Sequence, residues 1–259
     1  MLSLRPYYHP MQSVIPAEEK EVTYTEFLPC EALRPFIYCY WELKSPPRNT
    51  PFCYRVVADG CIDLFFDCNN PQMSSLMGYC NTYIEFPITG AFHYVGVRFL
   101  PSAFPLLFGQ DAFEISAQEI PLREVVPALA TFITQQLEIP LSLAAIAQRL
   151  DVYFLRHLSQ RPLQIDKRFF SALLQILQSK GSIQISELDT GISARQLRRL
   201  FDYYIGDSPK TFSNIVRFQH ILSTKSYHNH SFLDTYYDQA HFIKSFKTFY
   251  GDTPSKVLG

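Results

Sequence analysis

Several features that would point to a function class are missing from this sequence. No uninterrupted apolar stretch approaches the ~18 residues of a membrane span. The amino terminus, Met1-Leu-Ser-Leu-Arg-Pro-Tyr-Tyr-His9, has neither a long apolar segment nor a small-residue cleavage site, and it is not read as a secretory signal. The expectation is a soluble, cytoplasmic protein with no membrane partner. A C-x-x-C pair, a Gly-rich phosphate loop and a nucleophile–base constellation are all absent, which leaves no catalytic residue and no cofactor to place. Charge of one sign is lacking too: 23 Lys and Arg oppose 24 Asp and Glu, a net of -1. With 47% hydrophobic and 18% charged residues, the chain can bury a core, and wholesale disorder is excluded. Its 259 residues suit one large domain or two modest ones.

The near-zero net charge conceals an asymmetry. Residues 1–164 carry 11 Lys and Arg against 16 Asp and Glu, whereas residues 165–259 carry 12 against 8. An acidic front joined to a basic back is compatible with a nucleic-acid module fused to something else. The six cysteines (Cys30, Cys39, Cys53, Cys61, Cys68 and Cys80) all lie in the front half. Without a signal peptide, reduced thiols are expected rather than disulfides. Their spacings match no common zinc pattern, so no metal site is expected. His93 alternates with Phe92 and Tyr94 and reads as a satisfied strand residue rather than a ligand. Asp59 and Asp63 invite an acid–base reading, but Asp59 is a turn residue that Asp63 would flank structurally.

The front half reads as sheet. Tyr54–Ala58 and Cys61–Phe66 flank Asp59-Gly60, a strong hairpin signal. Ile84–Ile88 and Phe92–Leu100 flank Thr89-Gly90 and predict a second strand pair. Residues 20–43 add strands at Val22–Thr25 and Phe36–Trp41 with a short helix between them, and Lys44–Pro51 is a loop. From about residue 101 the pattern turns helical. Leu122–Leu137 and Leu141–Leu158 carry apolar residues at helical spacing, the second with Leu143, Ile146, Ala147 and Leu150 on one face. Arg161-Pro162 marks a boundary, and a third helix runs from Asp166 to Lys180 and stops at Gly181.

The last 80 residues contain an internal repeat. Leu197–Pro209 returns as Phe242–Pro254, with Phe201/Phe246, Gly206/Gly251 and Pro209/Pro254 each 45 residues apart. Two copies of one helix–Gly-Asp-Ser/Thr-Pro–helix unit are implied. In the first, Gly206 ends a helix, Ser208 caps the next and Pro209 opens it. Upstream, Gly191-Ile-Ser-Ala-Arg-Gln-Leu-Arg-Arg-Leu-Phe201 reads as the turn and second helix of a helix-turn-helix. Ser193 is the N-cap, and Gln196 completes a capping box. Leu197, Leu200 and Phe201 form the buried stripe, which leaves Ala194, Arg195, Arg198 and Arg199 facing outward. Such a face suits the major groove, where Arg can bond guanine bidentately, and it equally suits a solvated basic helix.

These motifs, with Ile205-Gly-Asp-Ser-Pro-Lys-Thr-Phe, Ile215-Val-Arg-Phe-Gln, Tyr236-Tyr-Asp-Gln-Ala-His-Phe-Ile-Lys-Ser-Phe-Lys and Gly251-Asp-Thr-Pro-Ser-Lys, resemble the DNA-binding domain of the AraC/XylS family of bacterial transcriptional regulators. The front half resembles the amino-terminal domain of one subgroup through Tyr54-Arg-Val-Val-Ala-Asp-Gly-Cys-Ile-Asp-Leu and Gly96-Val-Arg-Phe-Leu-Pro-Ser-Ala-Phe. It departs at Ala58, where that subgroup usually has Pro, and at Ser102, where it has Gly. The resemblance implies an α+β chain in three parts. Residues 1–118 would form a β-rich, barrel-like sensing or dimerisation domain, 119–160 a helical linker, and 161–259 an all-α domain with two helix-turn-helix units.

The same resemblance implies double-stranded promoter DNA as the partner, with RNA polymerase, an unknown small-molecule effector and a second copy as further candidates. Carried onto this chain, Arg195, Arg198 and Arg199 would read bases in the first unit. Gln239, Ala240, Ile243 and Lys244 hold the equivalent positions in the second, where Gln239 can read adenine and Ala240 and Ile243 offer only apolar contact. Lys210 and Arg217 are candidate phosphate contacts, although Arg217 equally suits pairing with a helix terminus inside the domain. The first helix of each unit is short, by about two residues before Gly191 and about five in the second copy around Phe232–Gln239. A structurally weak second unit keeps open a different reading: an interaction module, deficient in DNA binding, that sequesters a partner regulator.

Overall fold

The computed structural model describes residues 3–137, 141–160, 162–224 and 239–258. Its front half is a pair of facing antiparallel sheets. The strands are β1 (Thr23–Phe27), β2 (Ile37–Ser45), β3 (Phe52–Val56), β4 (Ile62–Asp67), β5 (Asn70–Met77), β6 (Ile84–Ile88), β7 (Phe92–Phe99) and β8 (Glu119–Pro121). The larger sheet has the order β1-β2-β7-β4-β5-β8, and β3 pairs with β6 in a smaller one. The expected barrel-like enclosure is thus made by two sheets facing each other rather than by one closed ladder. The short helix expected between the first strands is a single 3₁₀ turn, Glu31–Leu33.

Both hairpins expected from turn dipeptides are corrected by this pairing. Gly60 has the left-handed φ of 68° that such a turn favours, yet β3 and β4 belong to different sheets. Residues 57–61 leave the ladder because their polar groups are committed elsewhere. The Ala58 amide donates to the Phe249 carbonyl, and the Tyr8 hydroxyl donates to the Asp59 carbonyl at 2.5 Å. Likewise Thr89-Gly90 joins β6 to β7, but β7 runs between β2 and β4. Val95, Val97 and Phe99 on one face of β7 are fully buried, so this strand belongs in the middle of the large sheet. The turn dipeptides locate the chain reversals correctly and give no information about partners.

Each face of the large sheet buries a different cluster. Cys39, Trp41 and Leu43 of β2 meet Phe52 and Tyr54 of β3 and Phe92 of β7 between the sheets. Tyr40 of β2, Leu64 and Phe66 of β4, and Val95 and Val97 of β7 face the helices. Those helices begin with α1 (Ala103–Phe108), α2 (Leu122–Val125), α3 (Pro127–Gln136) and α4 (Leu143–Ser159). The continuous helix expected over 122–137 is divided at Val126-Pro127. Proline disfavours α geometry in the residue before it, and Val126 sits at φ -135°. Residues 119–121, expected to open a helical linker, instead pair with β5 as a strand. Asp151 of α4 ties that helix to the sheet by accepting from the Tyr40 hydroxyl (2.8 Å) and the Cys30 amide.

Gly96 shows how closely the inner face is fitted. A Cβ at this position would lie 2.3 Å from the Trp41 indole. Overpacking of this kind costs about 1–3 kcal/mol. Gly96→Ala should therefore lower the urea midpoint and change the emission of Trp41, the sole tryptophan of the chain. An unchanged midpoint and emission would show that the indole has room to move.

Candidate nucleic-acid interface

The back half is built from α5 (Lys167–Gln178), α6 (Ala194–Tyr204), α7 (Pro209–Thr224), α8 (Gln239–Tyr250) and α9 (Pro254–Val257). Asp166 caps α5, its carboxylate accepting from the Arg168 amide and side chain. That hydrogen bond from Arg168 pulls the Asp166 carboxyl down to about 2. Between α5 and α6 the first helix of the unit is reduced to a 3₁₀ turn, Ile185–Glu187, followed by the left-handed Gly191. The shortness read in the sequence is therefore real in the first unit. Its counterpart around Phe232 lies outside the described residues.

Helix α6 has a full capping box. The Ser193 hydroxyl accepts from the Gln196 amide at 3.3 Å, and the Gln196 carbonyl oxygen accepts from the Ser193 amide at 3.1 Å. Leu197 and Phe201 are buried and hold the helix on the core, with Phe201 edge-on to Phe169. Arg195, Arg198 and Arg199 are exposed. Arg198 lies 3.7 Å from Asp202 one turn away, with its side chain still 63% exposed, an arrangement that steadies the guanidinium without using it up.

The 45-residue repeat is visible in space. Helices α6 and α8 carry the two copies, and Phe242 and Phe246 are buried as Leu197 and Phe201 are. Gln239, Ala240 and Lys244 are exposed, whereas Ile243 is half-buried and packs against the core. The second face therefore offers a shorter polar edge than the first. Lys210 is exposed in the first turn of α7. Arg217 turns inward: its guanidinium donates to the Gly181 carbonyl at 2.6 Å, beyond the end of α5. Of the two roles open to Arg217 from sequence, the structure displays the helix-terminus one.

No local sequence signal marks the contacts by which the front half holds the turns of both units. Gly206 and Gly251 end α6 and α8 with φ of 102° and 93°. The Gly206 carbonyl accepts from the Ser116 hydroxyl, and the Asn81 amide donates to Asp207 at 2.9 Å. In the second unit, the Tyr83 amide donates to the Thr248 carbonyl, and the Tyr83 ring lies where a Gly251 Cβ would be. Buried Gln219 of α7 completes the junction by donating to the Met11 and Ala58 carbonyls and accepting from the Met11 amide. A glutamine within an apolar helix face is a recognisable signal, but its partners lie about 160 and 208 residues away.

Comparison with known proteins adds three findings. Residues 25–121 match a family described as "Domain of unknown function (DUF6597)". The chain is 33% identical over 129 residues to an uncharacterized HTH-type transcriptional regulator of Haemophilus influenzae, a match covering 43% of this chain and 43% of that protein. The chain thus spans less than half the length of that curated relative. The crystal structure of ToxT from Vibrio cholerae O395 aligns over 93% of this chain and 98% of that one, at 11% identity and a TM-score of 0.32. The name of the regulator match agrees with the helix-turn-helix motifs read in the back half. Among the described residues no helix is long and apolar enough to cross a membrane.

The lowered Asp166 carboxyl sets a pH dependence of known sign. A group whose folded value lies below its ordinary one contributes stability above that ordinary value, and the contribution is lost as pH falls toward about 2. Asp166→Asn retains an acceptor for the cap but has no charge to lose. The difference in urea midpoint between wild type and Asp166→Asn should shrink when measured at about pH 2.5 rather than about pH 5. A difference independent of pH would remove the Arg168 pair from the account of α5.

Proposed function

We propose that this chain is a DNA-binding transcriptional regulator of AraC/XylS type, acting through two recognition helices under the control of its β-rich front half. One observation carries the reading: a capped helix presenting three exposed arginines, repeated 45 residues later by a second helix with the same buried pattern and the same Gly-Asp-Ser/Thr-Pro exit. An exposed arginine can donate two parallel hydrogen bonds to the O6 and N7 of guanine, the commonest base-specific contact. In this reading residues 161–259 form the DNA-binding unit. Arg195, Arg198 and Arg199 read bases, Gln239 and Lys244 read a second groove more weakly, and Lys210 neutralises a phosphate. The Haemophilus influenzae relative, named as an HTH-type transcriptional regulator, supports the class.

The placement of the front half supports control by an effector. A cavity of about 340 Å³ lies between its two sheets, within the size range of small-molecule sites. The strands that wall it continue into the segments that grip α6, α7 and α8. Regulation through this junction requires no change in the recognition helices themselves, only in how firmly their exits are held.

Two measurements test the reading. Binding of the full chain to duplex DNA should weaken steeply with salt, with a slope of about -0.9 in log K for each phosphate neutralised. On the preferred site, Arg198→Ala should cost about 1–3 kcal/mol and relax sequence discrimination. Lys210→Ala should weaken preferred and scrambled duplexes alike, because a phosphate contact carries no base information. A flat salt response would favour the interaction-module reading, in which a weak second unit no longer binds DNA and the chain sequesters a partner regulator. Gln239→Ala proving more damaging than Arg198→Ala would reverse the assigned order of the two units.

A further inference from the structure

The cavity between the sheets has an unusual wall. Trp41 and Leu43 of β2, Phe65 of β4, Tyr94 of β7, Tyr54 of β3 and Phe86 of β6 make most of it apolar and aromatic. Two residues of this wall carry a buried donor that finds no acceptor among the described residues: Trp41 through Nε1 and Arg98 through Nη1. Arg98 is only 1% exposed, and its other nitrogens are occupied. Nη2 donates to Asp63 at 2.9 Å, and Nε lies 3.2 Å from Asp63 and 3.3 Å from Asp59. Glu26 stands 3.9 Å from Nη1, beyond hydrogen-bond reach. Leaving a buried donor unmatched costs about 1–3 kcal/mol, and two on one cavity mark where an acceptor belongs.

The charges around the cavity restrict what that acceptor can be. Its lining holds one cation, Arg98, and two carboxylates, Asp63 and Glu119, with Asp59 and Glu26 close behind. An added carboxylate would face acids that already neutralise the guanidinium. A cation would meet the Arg98 guanidinium. An uncharged oxygen satisfies the two donors and adds no charge to the cluster. The remaining walls fit a flat or flexible apolar body.

Arg98 also connects this site to the DNA-binding half. Asp59 lies in the segment that leaves the ladder between β3 and β4. Its neighbour Ala58 bonds Phe249 of α8 and Gln219 of α7, and a Cβ on Gly60 would touch Phe212 of α7. Because the guanidinium is rigid and planar, drawing Nη1 toward a ligand also moves Nε relative to Asp59.

We propose that the cavity takes a small aromatic molecule bearing an uncharged carbonyl oxygen, bound by Trp41 Nε1–H and Arg98 Nη1–H, and that Arg98 passes its occupancy through Asp59 to α7 and α8. The site deepens the effector control argued above; its second half rests on the chain binding DNA, its first half does not.

The position of Trp41 makes the first half directly measurable, since all tryptophan emission of the full chain comes from the cavity wall. Three matched probes separate the chemistries: 4-phenylbutan-2-one, 3-phenylpropanoate and 3-phenylpropylammonium. The ketone should shift the Trp41 emission saturably and raise the unfolding temperature. The acid and the amine should bind more weakly, on the order of tenfold or more, as expected when a buried hydrogen bond is unmade. Trp41→Phe should reduce the thermal stabilisation by the ketone. Tighter binding of either charged probe, or no saturable change with any of them, overturns the ligand assignment and leaves the two donors to solvent.

Asp59→Asn tests the second half. With the ketone raised until the emission change of each protein is saturated, duplex affinity should respond to the ketone in wild type and not in the variant. A saturated variant whose DNA affinity still responds like wild type removes Asp59 from the connection. Should the wild-type chain bind no duplex at any salt concentration, the regulator reading fails, while the emission titration still decides the ligand.

Discussion

The structure turns on a guanidinium that has no access to water. Arg98 sits in the central strand of the large sheet, and a buried charge is tolerated only when it is paired and hydrogen-bonded. Burial alone would depress its protonation; Asp63, Tyr24 and Asp59 hold it charged. Burial in turn pushes the Asp59 carboxyl up to about 6, against the pull of Arg98 and with Asp63 adding to the rise. The pairing constrains more than charge. Asp59 must stay beside β7, so residues 57–61 cannot close a hairpin, β3 is released to the smaller sheet, and the space between the sheets opens as a cavity.

The same segment carries the contact with the other half. Once Asp59 is fixed, Ala58 and Gly60 face α7 and α8, and the amino-terminal residues Tyr8 and Met11 close over them. Together with Asn81, Tyr83 and Ser116, they hold the exits of both repeated helices. In the proposed function, two helices entering a duplex in register need a fixed separation, and the front half sets part of it. Under that proposal, tuning from the front half alters no residue assigned to read a base.

The sequence by itself determined the local structure of the back half. The Ser193 cap with Gln196, the Gly206 exit and the Pro209 start are read within a few residues, because capping and turn chemistry are short-range. The buried stripe of α6 follows from its periodicity, and the 45-residue repeat follows from comparing the chain with itself. The exposed arginines were legible as the complement of that stripe. Arg217 was legible as a cation but not as the one that bonds Gly181. Which carbonyl a long side chain reaches depends on how α5 and α7 pack.

Tertiary structure alone decided how the strands of the front half pair. Asp59-Gly60 and Thr89-Gly90 marked reversals correctly, but a turn signal does not encode which strand becomes the partner. That choice depended on the burial of β7 on both faces and on the ion cluster, whose members are 35 and 39 residues apart in the chain. The grip on Gly206 and Gly251 and the buried Gln219 are likewise contacts across 90 residues or more. Each costs chain entropy to close and pays back only when the whole core is assembled. Local propensity therefore carries no trace of them, and the junction between the halves exists only in the folded molecule.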